Sequence, residues 1–151
     1  MEPNWAEIIQ AIASLATMLV AAGGICFVLR QIKQVERSIR SNTNERLIGE
    51  SLEILRFLAE HPETYDYFYN GKEPTGDVDN MLKYATEMIV NYMEHVVLQK
   101  EALPEDVQKS WDVFVQDTYA RSPLVREHLR QFRNWYQPSL LKMVENVPQP
   151  S

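Results

Sequence analysis

The sequence predicts an all-α protein, with an N-terminal transmembrane helix followed by a small antiparallel bundle of four or five helices. Residues 8–29 contain no charged side chain. After residue 30, apolar residues recur at helical spacings and nowhere alternate as in a β-strand. The 151 residues are 45% hydrophobic and 24% charged, a composition that suits one compact domain and excludes a wholly disordered chain.

The remaining composition excludes several classes of protein. A single cysteine excludes a disulfide framework and a zinc site built on cysteines. The formal net charge of −6 argues against nucleic acid as a partner, because nucleic-acid binders carry an excess of Lys and Arg.

The predicted transmembrane helix runs from Ile8 to Leu29, between the charged residues Glu7 and Arg30. A helix of this length extends ~33 Å, which matches the roughly 30 Å hydrocarbon core of a lipid bilayer. One alternative is a cleaved signal peptide, but it requires a positively charged start, and residues 1–7 carry two acids and no Lys or Arg. The other alternative is a buried core helix of a soluble protein, which the length of the segment disfavours. We therefore expect an uncleaved anchor whose first partner is the lipid bilayer.

The flanking charges predict the orientation of this helix. Four basic residues follow it against one acid, Glu36, and together they form the orientation cluster: Arg30, Lys33, Arg37 and Arg40. The positive-inside rule then places residues 1–7 outside the cell and the chain after residue 30 in the cytoplasm.

Small or weakly polar residues recur along the span at spacings of four and three. They form what we call the small-residue seam, consisting of Gln10, Ser14, Thr17, Ala21 and Gly24. Such residues let membrane helices approach closely, so the seam predicts a homo-oligomer. The alternatives are a pore-lining face and a chance pattern, since membrane helices are generally rich in small residues.

Residues 30–42 are predicted to form a basic juxtamembrane neck. Ile32, Val35 and Ile39 have coiled-coil spacing, which indicates either a short coiled coil or the start of a solvated stalk. Asn42 and Glu45 have the spacing of a capping box, so a new helix is expected to begin there. The cytoplasmic helical domain is then residues 43–147, with a tail at residues 148–151.

Turn and cap residues divide the cytoplasmic domain into helices. Pro62 suits the first turn of a short helix, and Asn70 to Gly76 is the clearest loop. Asp77 or Asp79 is expected to cap the next helix.

The later helices are predicted in the same way. Pro104 precedes an acidic first turn, and Ser122 with Pro123 starts another helix. Pro138 begins the last segment of the bundle.

The order of these landmarks resembles a widespread family of uncharacterised small bacterial proteins with one N-terminal span and a cytoplasmic helical domain. The matching segments cover nearly the whole chain: Gln31–Gln34, His61–Glu63, Asn91–His95, Trp111, Ser122–Pro123 with Arg126, and Trp135–Leu140. The resemblance implies a bacterial plasma (inner) membrane protein with an all-helical domain. It implies no catalytic residues.

The sequence contains no strong signature of catalysis. His61, His95 and His128 are far apart and belong to no metal-binding motif, so we expect no metal and no cofactor. The best polar constellation lies on one predicted helix and comprises Glu87, Asn91, Glu94 and His95. It is either an acid–base site with a tuned carboxylate–histidine pair or a polar helix edge.

A second group of residues predicts a partner surface. Aromatic side chains crowd the segment before the Asn70–Gly76 loop, namely Tyr65, Tyr67, Phe68 and Tyr69. Alternate members must face opposite sides, so some rings should be exposed, and exposed aromatic groups mark protein interfaces.

These observations favour a non-enzymatic, single-pass membrane protein that self-associates through its span and presents a helical interaction module to an unidentified protein partner. One alternative is a membrane-tethered enzyme that uses the Glu87–His95 face. The other is a small oligomeric channel lined by the polar part of the small-residue seam.

Overall fold

The computed structural model describes residues 5–148, except for the side chains of residues 5–7 and 11. Most of the predicted external segment 1–7 and of the predicted tail 148–151 lies outside the described residues. The described chain is all-helical, as predicted, and contains no β-strand.

Six α-helices and two 3₁₀ turns make up the described chain. The α-helices are α1 (Trp5–Glu60), α2 (Pro62–Tyr69), α3 (Asn80–Gln99), α4 (Glu105–Arg121), α5 (Pro123–Gln131) and α6 (Pro138–Glu145). The 3₁₀ turns are Lys100–Ala102 and Arg133–Trp135.

The helix start predicted at Asn42 is wrong, because α1 is continuous from Trp5 to Glu60. The capping box does not form: the hydroxyl of Ser41 donates a hydrogen bond to Oε1 of Glu45 at 3.2 Å, along the helix surface. An asparagine inside a helix costs only a fraction of a kcal/mol, ~0.7 at most, which tertiary structure easily overrides. Residues 30–42, the predicted neck, are part of the same helix.

The chain divides into two compact units, the first ending at Ile39 and the second beginning at Arg40. The described part of the first unit, residues 5–39, is helical, and its described side chains are exposed.

The second unit is organised around α3, which packs against α4, α5 and α6. α2 contacts α4 and α5. From α1, Leu47, Ile54 and Leu58 join the same hydrophobic core. The other fully buried core side chains include Phe68, Val90, Met93, Val96, Val115, Val125 and Leu140.

The helix starts in this unit follow the predicted cap chemistry. Of the two predicted caps for α3, Asp79 is the one used: its carboxylate accepts a hydrogen bond from the backbone N–H of Leu82 at 2.7 Å. Ser122 caps α5 by accepting from the N–H of Val125 at 3.3 Å. The predicted loop after α2 is also present, and Gly71 and Gly76 have φ values of 70° and 87°, which favour glycine.

Candidate functional site

All five residues of the small-residue seam lie on α1 with exposed side chains. The hydroxyl of Thr17 donates to the backbone carbonyl of Ala13 at 2.9 Å, so its polarity is satisfied within its own helix. A Cβ atom added at Gly24 would meet nothing within 4 Å. Nothing in the described chain therefore covers the seam.

Because α1 is unbroken, the seam continues along the same face beyond the predicted span. Val28, Ile32, Val35 and Ile39 extend it, and all four are exposed. From Gln10 to Ile39 the nine positions recur on average about every 3.6 residues, which is the period of a straight α-helix. One face of α1 is therefore small and weakly polar from Gln10 to Gly24 and β-branched and apolar from Val28 to Ile39.

The orientation cluster also lies on α1, and its four side chains are exposed. The acid within this segment, Glu36, has a partner of its own, as does Arg40.

The four residues of the polar set predicted on α3 lie on α3, but they contact different parts of the chain. Asn91 and His95 border a small cavity of about 250 Å³ against α1. Glu94 instead accepts a hydrogen bond from the backbone N–H of Gln137 at 2.6 Å. Glu87 lines a different cavity, beside His128. Spacing along α3 leaves these residues on neighbouring but distinct faces, and each face meets a different helix.

His95 is the centre of a polar network between α3 and α1. Its Nδ1 atom lies 2.5 Å from Oε2 of Glu50, and its Nε2 atom lies 3.0 Å from Nη2 of Arg46. Gln99, one turn along α3, also contacts Nε2. The side chains of His95 and Glu50 are each 33% exposed.

The partners of His95 determine its chemistry. Arg46 can only donate hydrogen bonds, so Nε2 accepts, and the ring proton lies on Nδ1, where the Glu50 carboxylate accepts it. Arg46 and Gln99 both lie against Nε2, whose single lone pair can accept a hydrogen bond from only one of them at a time. This arrangement joins α1 and α3 through a partly exposed histidine.

A buried tyrosine strengthens the same contact between α1 and α3. The hydroxyl of Tyr92 donates to the backbone carbonyl of Leu47 at 2.9 Å. Burial raises the pKa of Tyr92 to about 12. The hydroxyl therefore stays protonated and donates at any physiological pH.

A second polar cluster forms where α3, α5 and the 3₁₀ turn before α6 meet. Nε2 of His128 lies 2.8 Å from the hydroxyl of Tyr136. Burial lowers the pKa of His128, and the Glu87 carboxylate acts in the opposite direction. Burial also raises the pKa of Tyr136 to about 12, with Glu87 and Glu94 adding to the effect. An adjoining cavity of about 460 Å³ is lined by His128, Phe132 and Trp135.

The predicted aromatic surface is correct only in part, because Phe68 is fully buried in the core. Tyr65 is 44% exposed and stacks on Tyr69, with ring centroids 4.7 Å apart. Tyr67 lies beneath the ammonium of Lys72, 4.6 Å from its ring centroid. α2 turns Phe68 inward because its apolar face must cover the core, so only the three tyrosines of this group are partly exposed.

Sequence reasoning missed Glu50, Arg46, His128 and Tyr136. The i,i+4 pairs Arg46–Glu50 and His95–Gln99 are visible in the sequence as helix neighbours. Which pair faces which depends on the packing of α1 against α3, and helical spacing does not encode that packing.

Among the described residues, no group of three or more His, Cys, Asp or Glu side chains is arranged to hold a metal ion. One helix, Ile8–Glu60, is long and apolar enough to contain a membrane span, with a mean hydropathy of 2.3 in its most apolar window. Comparison of the chain with protein-family models, curated proteins and solved structures found no match in any of the three.

Proposed function

We propose that this chain is a single-pass membrane protein that self-associates through α1 and presents a helical interaction module to the cytoplasm. The observation that carries the proposal is the exposure of the first part of α1. Between residues 8 and 29, eleven large apolar side chains of the described chain are 39–76% exposed.

Water is an unfavourable solvent for such a helix. Leaving a large apolar side chain exposed to water instead of burying it costs ~1.5–3 kcal/mol of free energy. None of the most apolar window is buried within the chain. A bilayer removes this cost around the whole circumference of the helix, whereas a protein partner on one face would leave the other faces wet.

The proposed location is the plasma membrane of a bacterium, with the N-terminus outside and the second unit in the cytoplasm. The basic residues after Leu29 support this orientation, since positively charged flanks are retained on the cytoplasmic side. We also propose that the chain belongs to the family of small bacterial proteins that its sequence resembles.

We also propose that the helices of the second unit form an antiparallel bundle. The short connections between successive helices and the packing of α3 against α4, α5 and α6 support this arrangement.

Self-association is supported by the way the exposed face of α1 changes character. From Gln10 to Gly24 the residues are small or weakly polar, which suits close helix packing in lipid. At Ile32, Val35 and Ile39 they are β-branched and apolar, which suits association driven by water. A second copy of the chain in parallel orientation would satisfy both segments at once.

The test is to enlarge the seam. In the double variant Ala21→Leu with Gly24→Leu, bulky side chains hold the helices apart, and we expect association to fall at least fivefold. The chain supplies a matched control, Ala22→Leu with Gly23→Leu, which makes the same changes on the opposite side of α1. Association is measured by energy transfer between labelled full-length chains in lipid vesicles.

Two results would contradict the proposal. Release of the full-length protein from membranes by alkaline carbonate would show that it does not span the bilayer. Equal energy transfer in the wild type and both double variants would remove the seam as the interface.

A further inference from the structure

Three of the basic residues after the predicted span share one face of α1. Arg30, Lys33 and Arg37 fall within an arc of about 60° when positions advance by about 100° per residue. All three side chains are exposed. The small-residue seam and its apolar continuation lie roughly 170° away on the same helix. Packing of two copies along the seam therefore leaves the basic face pointing outward.

The charges on this face are not neutralised within the described chain. Ion pairs there engage Arg46, Arg121, Arg130 and Arg133, among others, but none engages Arg30, Lys33 or Arg37. Three cations thus remain unpaired on one face, directly after a long apolar segment.

Helix geometry places these cations at the depth of lipid phosphates. With ~1.5 Å of rise per residue, Lys33 lies about 6 Å beyond Leu29 and Arg37 about 12 Å. The polar layer on each side of a bilayer is ~5–8 Å thick. Arg30 and Lys33 therefore reach the headgroups, and Arg37 stays within one Debye length of them, ~8 Å at physiological salt.

We propose that the Arg30–Lys33–Arg37 face binds the phosphate groups of anionic lipids. This inference rests on the proposed membrane insertion. The three side chains project from a convex surface, so they cannot converge on one phosphate ion. A headgroup layer instead offers each side chain a phosphate of its own, and a surface Lys or Arg gains ~1 kcal/mol from an anionic leaflet, a factor of about five.

The experiment uses full-length protein reconstituted in phosphatidylcholine bilayers with a trace of spin-labelled phosphatidylglycerol or spin-labelled phosphatidylcholine. The motionally restricted fraction of each label gives its relative association with the protein. We expect a several-fold preference for phosphatidylglycerol, which falls in 1 M salt, where the Debye length is ~3 Å.

Substitutions identify the side chains responsible for the preference for phosphatidylglycerol. The triple variant Arg30→Gln, Lys33→Gln, Arg37→Gln is expected to bind both lipids equally. The matched control Arg56→Gln, Lys109→Gln, Lys142→Gln removes three exposed cations from the second unit and should keep the preference. Among single variants, Arg30→Gln and Lys33→Gln should weaken it more than Arg37→Gln.

Three outcomes would overturn the inference: equal association of the two lipids with the wild type, an unchanged preference in the triple variant, or loss of the preference in the control. Displacement of phosphatidylglycerol by inorganic phosphate, beyond that caused by chloride at equal ionic strength, would assign the face to soluble phosphate instead. Failure of the protein to float with the vesicles would refute insertion itself, whereas an inserted protein without lipid preference would refute only this inference.

Discussion

At the scale of single residues, the side chain of His95 links α3 to α1 through hydrogen bonds. Glu50 accepts its Nδ1 proton, and Arg46 and Gln99 both lie against Nε2, so both ring nitrogens are used between α1 and α3. Glu50 in turn lies 3.9 Å from Nε of Arg46. This set of contacts explains how a partly exposed histidine can stabilise the packing of α1 against α3.

A double-mutant cycle on Glu50→Gln and His95→Gln measures this contact. We expect a coupling free energy of ~0.5–1 kcal/mol, because partial exposure screens the interaction. The measurement is chemical unfolding of the full chain in detergent micelles, followed by tryptophan fluorescence. The exposed pair Glu105–Lys109, with its nitrogen and oxygen 3.0 Å apart, serves as the control and should show no measurable coupling. An equally small coupling free energy between Glu50 and His95 would show that their contact does not stabilise the packing of α1 against α3.

His128 gives a prediction about pH. Its pKa is lowered in the folded chain by burial, so below about pH 6.5 the unfolded chain binds the proton more readily than the folded chain. The contribution of His128 to stability is therefore complete at neutral pH and declines as the pH falls through this window. The ring is also held in place by its contact with Tyr136, whose hydroxyl lies 2.8 Å from Nε2.

The variant His128→Gln isolates this effect from other titrating groups. The difference in free energy of unfolding between wild type and variant should shrink from pH 7.5 to pH 5.5. The same comparison for His61→Gln, at a half-buried histidine 3.5 Å from Glu63, is the control. A wild-type advantage that grows on acidification would show that the charged form of His128 is favoured in the fold.

At the scale of elements, the sequence predicted helix starts better than it predicted helix continuity. Helix starts depend on residues within a single turn, so they can be predicted from a short stretch of sequence. The residues that mark them are Asp79, Ser122 and the prolines at 62, 123 and 138. Asn42 has the same local chemistry, yet α1 passes through it. Whether a cap residue is used depends on the alternatives open to the neighbouring backbone, and here Ser41 and Glu45 bond to each other instead.

Proline substitution distinguishes a continuous α1 from one that restarts at Asn42. In a restarted helix, Thr43 would be the first helical residue, where proline is well tolerated. In the continuous helix, Thr43→Pro removes a hydrogen bond and should cost ~3 kcal/mol or more. Unfolding of the full chain followed by circular dichroism measures the loss, with Thr43→Ala as control. Equal stability of the two variants would favour a helix start at this position.

The candidate site also shows that helical spacing does not predict contacts between helices. Helical spacing correctly placed Glu87, Asn91, Glu94 and His95 along one helix. It did not reveal that Glu94 faces the backbone of Gln137 while His95 faces Glu50, because those partners lie 43 and 45 residues away in the chain. Phe68 was misassigned for the same reason, since only the packing of α2 on the core decides which aromatic ring is covered.

At the scale of the whole molecule, the proposed topology can be tested through the single cysteine. In a Cys26→Ser background, one new cysteine replaces either Asn4 or the exposed Ser110. A membrane-impermeant thiol reagent should label the Asn4→Cys protein in intact cells and the Ser110→Cys protein only after permeabilisation. Labelling of both proteins after permeabilisation is the control for reactivity. The reverse pattern in intact cells would invert the orientation.

The loop between Tyr69 and Asn80 makes the second unit practical to engineer. Thr75 and Gly76 are exposed, and Gly76 has a φ of 87° with open space around its Cα. Exposed loop tips of this kind accept inserted peptides because few packed or hydrogen-bonded groups are displaced. An affinity epitope placed there would leave both chain ends native, so the protein can be purified or imaged without altering either terminus.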